Sequence, residues 1–142
     1  MTDNKIKKAI QSLVNMTKMV TPIIIGVVLL VGLVNKGIPK SFFASIFTGL
    51  APLDAFIGAI IGSVAAGNPI TSYIIGHELL NNSVALVAVV AFIIAWVTVG
   101  LVQFPAESLM LGKKFAFWRN LTSFITAIII SLLSVGTLWL IL

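Results

Sequence analysis

SFFASIFTGLAPLDAFIGAIIGSVAAGNPITSYIIGHELL, residues Ser41–Leu80, is apolar throughout and yet broken twice. Pro52 and Asp54 interrupt it once; Gly67, Asn68 and Pro69 interrupt it again. Proline lacks a backbone N–H and disfavours helix at the residue before it, here Asn68. The apolar pieces on either side of the second break, about 53–66 and 70–80, are each short of the roughly 20 residues that a membrane helix needs. Unpaired backbone groups are costly in hydrocarbon, so broken backbone at membrane depth is found buried in protein or against a wet cavity. The stretch predicts two half-helices meeting at a Gly67-Asn68-Pro69 tip, a broken or re-entrant element over 42–80.

Working outward, Asn81, Asn82 and Ser83 form a polar turn, and Val84–Phe104 then runs without interruption to Pro105. That run predicts a membrane helix over 84–104. Gly112, Lys113, Lys114 and Arg119 mark a basic loop, and 121–142 predicts the last span. Upstream, about 17 uncharged residues lie between Lys18 and Lys36, near the lower limit for a crossing, which gives a span over 19–35. Pro22 falls in its first turn, where proline is tolerated. Lys36, Gly37, Pro39 and Lys40 read as the connecting turn. Residues 1–18 differ from the rest. Ile6, Ile10, Leu13 and Val14 follow helical spacing among Lys5, Lys7, Lys8 and Lys18, as in a basic amphipathic helix lying at the cytoplasmic interface. A solvated cationic tail is the alternative. The fold class expected is an all-α integral membrane protein: three full transmembrane helices plus a broken helical hairpin, preceded by an interfacial amphipathic helix. The membrane domain covers 19–142.

Composition agrees with a membrane setting. The 142 residues are 59% hydrophobic and 9% charged, with a mean hydropathy of +1.16; soluble domains carry about 25% charged residues. The net charge of +5 comes from cations that flank apolar runs, which points to anionic lipid rather than nucleic acid. With no cysteine, disulfides, thiolate metal sites and cysteine nucleophiles are excluded, and one histidine with four carboxylates makes a metal site within one chain an unfavoured expectation. No nucleophile–base pair, metal motif or phosphate loop appears, so neither an enzyme nor a cofactor is expected.

Charge asymmetry bears on topology. If 42–80 returns to its starting side, Lys5, Lys7, Lys8, Lys18, Lys113, Lys114 and Arg119 lie inside and Lys36 and Lys40 outside, seven against two. If 42–66 crosses fully, the count is four inside against five outside, which suits insertion in both orientations. The first arrangement obeys the positive-inside tendency and is the one expected, with the N-terminus cytoplasmic in a multi-pass inner-membrane protein.

Polar groups within membrane segments are costly and mark candidate sites. The richest cluster follows the second break. Gly67, Asn68, Pro69, Thr71, Ser72 and Tyr73 are candidate solute-binding residues, because freed carbonyls and the N-terminus of the following helix offer ligands of both signs. Plain helix capping by Asn68 and Thr71 is the alternative. Trp96, Thr98 and Gln103 on the next apolar run are a second set of candidate solute-binding residues, facing protein or a cavity, although helix packing through Thr98 and Gly100 explains them equally. His77, Glu78 and Glu107 are candidate coupling groups; a solvated interfacial His77–Glu78 pair is as good a reading. Asp54 beside Pro52 is expected to cap the first half-helix. Asn120-Leu121-Thr122 matches a glycosylation acceptor by chance.

GSVAAGNPITSYIIGHELL (Gly62–Leu80) followed by ALVAVVAFIIAWVTVGLVQFPAESLMLGKKFAFWRNLTSFITAII (Ala85–Ile130) resembles the predicted-permease family, whose larger members include organoarsenical efflux permeases. The chain looks like a half-size member over about 90 residues from Asp54 onward. The resemblance implies a permease built from two related halves, and so a homodimer or a pairing with a similar half-size subunit. Full-length relatives place a Pro- and Cys-containing break where Gly67–Tyr73 lies and a second Gly/Pro-containing break after the stretch resembling Ala91–Gly100; this chain has no cysteine, so an arsenic substrate does not carry over. The function expected is a dimeric, half-size permease that moves a small polar or anionic solute past the Gly67–Tyr73 break. A non-catalytic accessory or channel-like membrane subunit is the alternative.

Overall fold

A computed structural model describes residues 2–37, 45–65 and 69–141. Every element among them is helical: α1 (Thr2–Gly37), α2 (Ala51–Val64), α3 (Pro69–Asn81), α4 (Leu86–Thr98), α5 (Phe104–Leu111) and α6 (Lys113–Ile141). They fall into two compact units, Met1–Gly37 and Ile38–Leu142.

The first unit is α1 alone. The amphipathic segment and the span expected after it form one uninterrupted helix of 36 residues, ~54 Å long at 1.5 Å per residue. Pro22 is therefore interior to a helix rather than in its first turn, and its missing N–H leaves one carbonyl of the preceding turn without a helical donor. Lys7, Lys8 and Lys18 are exposed on this unit, as are Ile6, Ile10 and Leu13.

The second unit is built on α2, α4 and α6. Helix α2 has no side-chain cap at Leu50; Asp54, expected to cap it, instead ties down the two residues before Leu50. Gly49 takes a φ of +78°, which suits glycine, and Pro52 lies in the first turn. The Asp54 carboxylate, 1% exposed, reaches back over that turn. Its Oδ1 accepts from the Thr48 N–H (2.8 Å) and hydroxyl (3.1 Å), and its Oδ2 from the Gly49 N–H (3.1 Å). Ala55, Gly58, Ala59 and Gly62 then follow at i, i+3, i+4 and i+7 and form one buried face. This face meets α4 at very short range. A Cβ on Gly58 would overlap the Ala88 carbonyl oxygen, and one on Gly62 the Phe92 carbonyl oxygen. Small residues four apart permit such close contact in membrane helices, where packing rather than water exclusion drives association.

Gly58 faces Ala88 and Gly62 faces Phe92, so α2 and α4 run in the same direction. Helix α3 lies between them in sequence and runs the opposite way. It packs on α4, with Gly76 against Val89 and Ile93, and reaches α4 through a tight turn in which Ser83 adopts φ 64°. Among the described residues α3 makes no packing with α2. Helix α6 is antiparallel to α4: Gly100, just past the end of α4, meets Asn120 near the start of α6. The cluster Ala55, Ala59, Val87, Ala91, Ala95 and Ala127 fills the space between the three helices.

Two expected boundaries need correction. The apolar run 84–104 is not one helix, because α4 stops at Thr98, Val99 is extended, and regular helix resumes at Phe104. The 13 residues of α4 cover only ~20 Å. The basic loop is also helical: Gly112, at φ 88°, alone separates α5 from α6, and Lys113, Lys114 and Arg119 belong to α6. Of the three spans expected, one corresponds among the described residues to a helix shown to be long and apolar enough to cross a membrane, the 29-residue α6.

Candidate functional site

The shared direction of α2 and α4 brings two chain breaks to one end of the bundle. The first follows α2, where Ala65 is extended (ψ 139°); the second follows α4, where Val99 is extended (ψ 114°). Ala65, Trp96, Val99, Gly100 and Gln103 line a small polar cleft between them. Its ~30 Å³ has room for a water or two.

The polar groups freed at the second break are collected by α6. Asn120, 7% exposed, accepts the Gly100 N–H through Oδ1 at 2.8 Å. Its Nδ2 donates to Glu107 Oε2 (3.0 Å) and to the Ala116 carbonyl (2.9 Å). Arg119 forms an ion pair with Glu107 and donates to the Thr98 carbonyl at 3.2 Å. A guanidinium at the carbonyl end of α4 also opposes the negative pole of that helix. Asn120 and Arg119, held together by Glu107, thus satisfy backbone groups at a helix end that would otherwise be unpaired. Beside them, the Ser108 hydroxyl is buried without a hydrogen-bond partner.

The expected site residues divide around this geometry. Gly67 and Asn68 lie outside the described residues. Pro69 opens α3, and its carbonyl accepts the hydroxyl of the buried Ser72 at 2.7 Å. Thr71 is half-buried and Tyr73 is 60% exposed; neither lines the cleft. Trp96 and Gln103 do line it, and Trp96 is held edge-on by Phe92 at a centroid distance of 5.3 Å. Thr98 returns its hydroxyl to the Ile94 carbonyl at 2.8 Å, as a helix-bound threonine does.

Of the coupling candidates, Glu107 joins the network at the second break. His77 and Glu78 fall ~12 Å along α3 from Pro69, at 1.5 Å per residue. His77 is exposed, and Glu78 accepts from the Asn82 side chain at 3.3 Å through Oε1. The sequence pointed to neither Arg119 nor Asn120. The first counted as a loop cation and the second as part of a chance sequon. The available signal was an Arg and an Asn in the second and third turns of a long apolar helix, 12 and 13 residues after an acid. Two helices joined by a single glycine bring those positions face to face.

A larger cavity of about 330 Å³ lies against the same network and is almost wholly apolar, bordered by Ser63, Leu101, Phe104, Phe117, Asn120 and Phe124 among others. No group of three or more potential metal-binding side chains occurs among the described residues. The chain matches no family model, no curated protein and no solved structure.

Proposed function

We propose that the chain is a half-size membrane permease subunit, pairing with a second copy or a similar half to move a small polar or anionic solute along its two helix breaks. The observation that carries this reading is the placement of Ala65 and Val99–Gly100 at the same end of parallel helices, with a polar cleft between them. Discontinuous helices meeting in this way are the arrangement on which many secondary transporters build their sites. The cleft of one subunit holds a water or two, so a solute path needs the second wall that another subunit supplies.

The helix directions support an orientation. Trp118 and Trp139 are both exposed on α6 and lie ~31 Å apart at 1.5 Å per residue, which matches a hydrocarbon core of about 30 Å between aromatic belts. On that scale α2 enters from the Trp139 side, α3 returns to it, and α4, its break and α5 together lead to the Lys113 side. With 42–80 re-entrant, Lys113, Lys114 and Arg119 lie inside and Leu142 outside, which agrees with the inner-membrane topology and cytoplasmic N-terminus expected from the charge count. Detecting a C-terminal tag only in the cytoplasm would refute it.

Reconstituted protein should raise the permeability of liposomes to sodium phosphate, sodium acetate or urea, read by light scattering after a concentration jump. Gln103→Ala and Trp96→Ala, at residues that line the cleft, should each reduce that flux in protein that still purifies as a dimer. A stable monomer, or permeabilities equal to those of empty liposomes for all three solutes, would reject the permease reading. The saturated Glu107–Arg119–Asn120 network favours one second reading, a non-catalytic accessory or channel-like subunit. Such a subunit would show no flux alone and would co-purify with a larger membrane protein.

A further inference from the structure

The apolar cavity beside the second break has a shape and a charge pattern that the permease reading does not use. Its walls come from α2 (Ser63), the segment after α4 (Leu101), α5 (Phe104) and α6 (Phe117, Leu121, Phe124). Leu101 is 49% exposed and Phe117 55%, so the cavity opens outward between them. At about 330 Å³ it falls at the lower end of ligand-sized pockets. Its lining is nearly all carbon: Ser63 turns its hydroxyl back to the Ile60 carbonyl at 2.8 Å, and Asn120 is committed to Gly100, Glu107 and Ala116.

Charge lies at the open side. On α6, Lys113 precedes Phe117 by four residues, and Lys114 precedes Phe117 by three and Leu121 by seven. These spacings put both lysines on the cavity-lining face, one turn beyond its edge. Both are exposed. Arg119, the other cation nearby, is engaged by Glu107 and Thr98. Exposed Trp118 sits at the same level, where an indole marks a membrane–water interface. An apolar slot just inside an aromatic belt, topped by two lysines, has the chemistry of an anionic lipid site.

We propose that this cavity holds an acyl chain of an anionic phospholipid, with the headgroup phosphate bound by Lys113 and Lys114. The occupant bridges α2, α5 and α6 beside the second break, so it would stabilise that end of the bundle. The inference rests on the membrane residence assigned above, but not on transport.

The test uses the full chain in mild detergent, titrated with dioleoyl phosphatidylglycerol, dioleoyl phosphatidylcholine or inorganic phosphate and followed by native mass spectrometry. One phosphatidylglycerol per chain should be retained in preference to phosphatidylcholine. Each lysine near an anionic lipid surface contributes roughly fivefold in affinity, so Lys113→Ala/Lys114→Ala should weaken phosphatidylglycerol binding ~25-fold. The control Lys7→Ala/Lys8→Ala, on the other unit, should leave it unchanged. A photoreactive side chain at Leu101 should cross-link to lipid in membranes. Equal binding of the two lipids, an unaffected lysine variant, competition by inorganic phosphate at equal concentration, or a Leu101 cross-link to a second copy would each overturn the proposal. If membrane residence itself were wrong, the chain would purify without detergent, an outcome distinct from all of these.

Discussion

Replacing Gly58 by alanine tests the contact that holds the two breaks together. The added Cβ would overlap the Ala88 carbonyl oxygen and lie 2.9 Å from the carbonyl carbon. Both are backbone atoms of a helix, so no side-chain rotation relieves the clash and α2 must move off α4. Overpacking a well-filled contact costs about 1–3 kcal/mol, and the upper end applies where backbone is struck. Alanine recovers up to about 1 kcal/mol of helix propensity, leaving a net loss of about 2 kcal/mol on these two principles. Two other glycines calibrate the result. At Gly76 the nearest atoms are Ile93 Cδ1 (2.9 Å) and Val89 Cγ1 (3.2 Å), ends of side chains that can shift, so Gly76→Ala should lie near the wild type. At Gly136 nothing lies within 4 Å, so Gly136→Ala should stabilise by up to about 1 kcal/mol. Unfolding titrations in mixed micelles, moving from mild to denaturing detergent, would rank the three variants, with about 3 kcal/mol between the extremes. Solute flux should fall for Gly58→Ala alone, because separating the helices separates Ala65 from Gly100. If Gly58→Ala matches Gly136→Ala in stability, the close approach of α2 and α4 is wrong, and with it the argument for paired breaks.

Glu107→Gln and Arg119→Gln should each destabilise by about 2 kcal/mol, between the values for exposed and buried ion pairs, because the two side chains are 16% and 35% exposed. The double variant should lose clearly less than the sum, measured as a double-mutant cycle in the same unfolding assay. Asp54→Asn should cost about 2–3 kcal/mol, since an amide nitrogen would replace one of two oxygens that accept from Thr48 and Gly49; the same titration reads it, and an unchanged midpoint would refute a stabilising role for these bonds. Ser108→Ala should be neutral or stabilising by up to about 1 kcal/mol, because it removes a buried hydroxyl that has no partner; a loss above that would reveal a bond or a ligand at this hydroxyl.

The sequence located the chain's interruptions better than it bounded its helices. Pro52 marks the start of α2 as expected, since a missing donor acts within one turn. Pro69 opens α3 for the same local reason. The interruption between Thr98 and Phe104 was implied by the family resemblance but hidden from hydropathy, because Val99, Leu101 and Val102 are as apolar as the helix before them. Hydropathy does not register whether an apolar residue is helical or extended. The break exists because Asn120 and Arg119 take up the backbone groups it frees, and those residues lie some 20 positions away. Likewise α1 runs past Lys18 and Pro22 where a boundary was expected: a charge changes what a helix faces, not whether it continues.

What the sequence alone determined is therefore local: apolar helical segments, few charges to cover a water-facing surface, and the helix starts at Pro52 and Pro69. Which breaks meet was decided by tertiary structure. Glycines at 58 and 62 make a close contact possible but name no partner. The contacts with Ala88 and Phe92 set α2 and α4 parallel and bring both of their ends to one place. The polar network at that place combines residues from α4, α5 and α6. Its strength depends on distances between helices, and no local pattern encodes those.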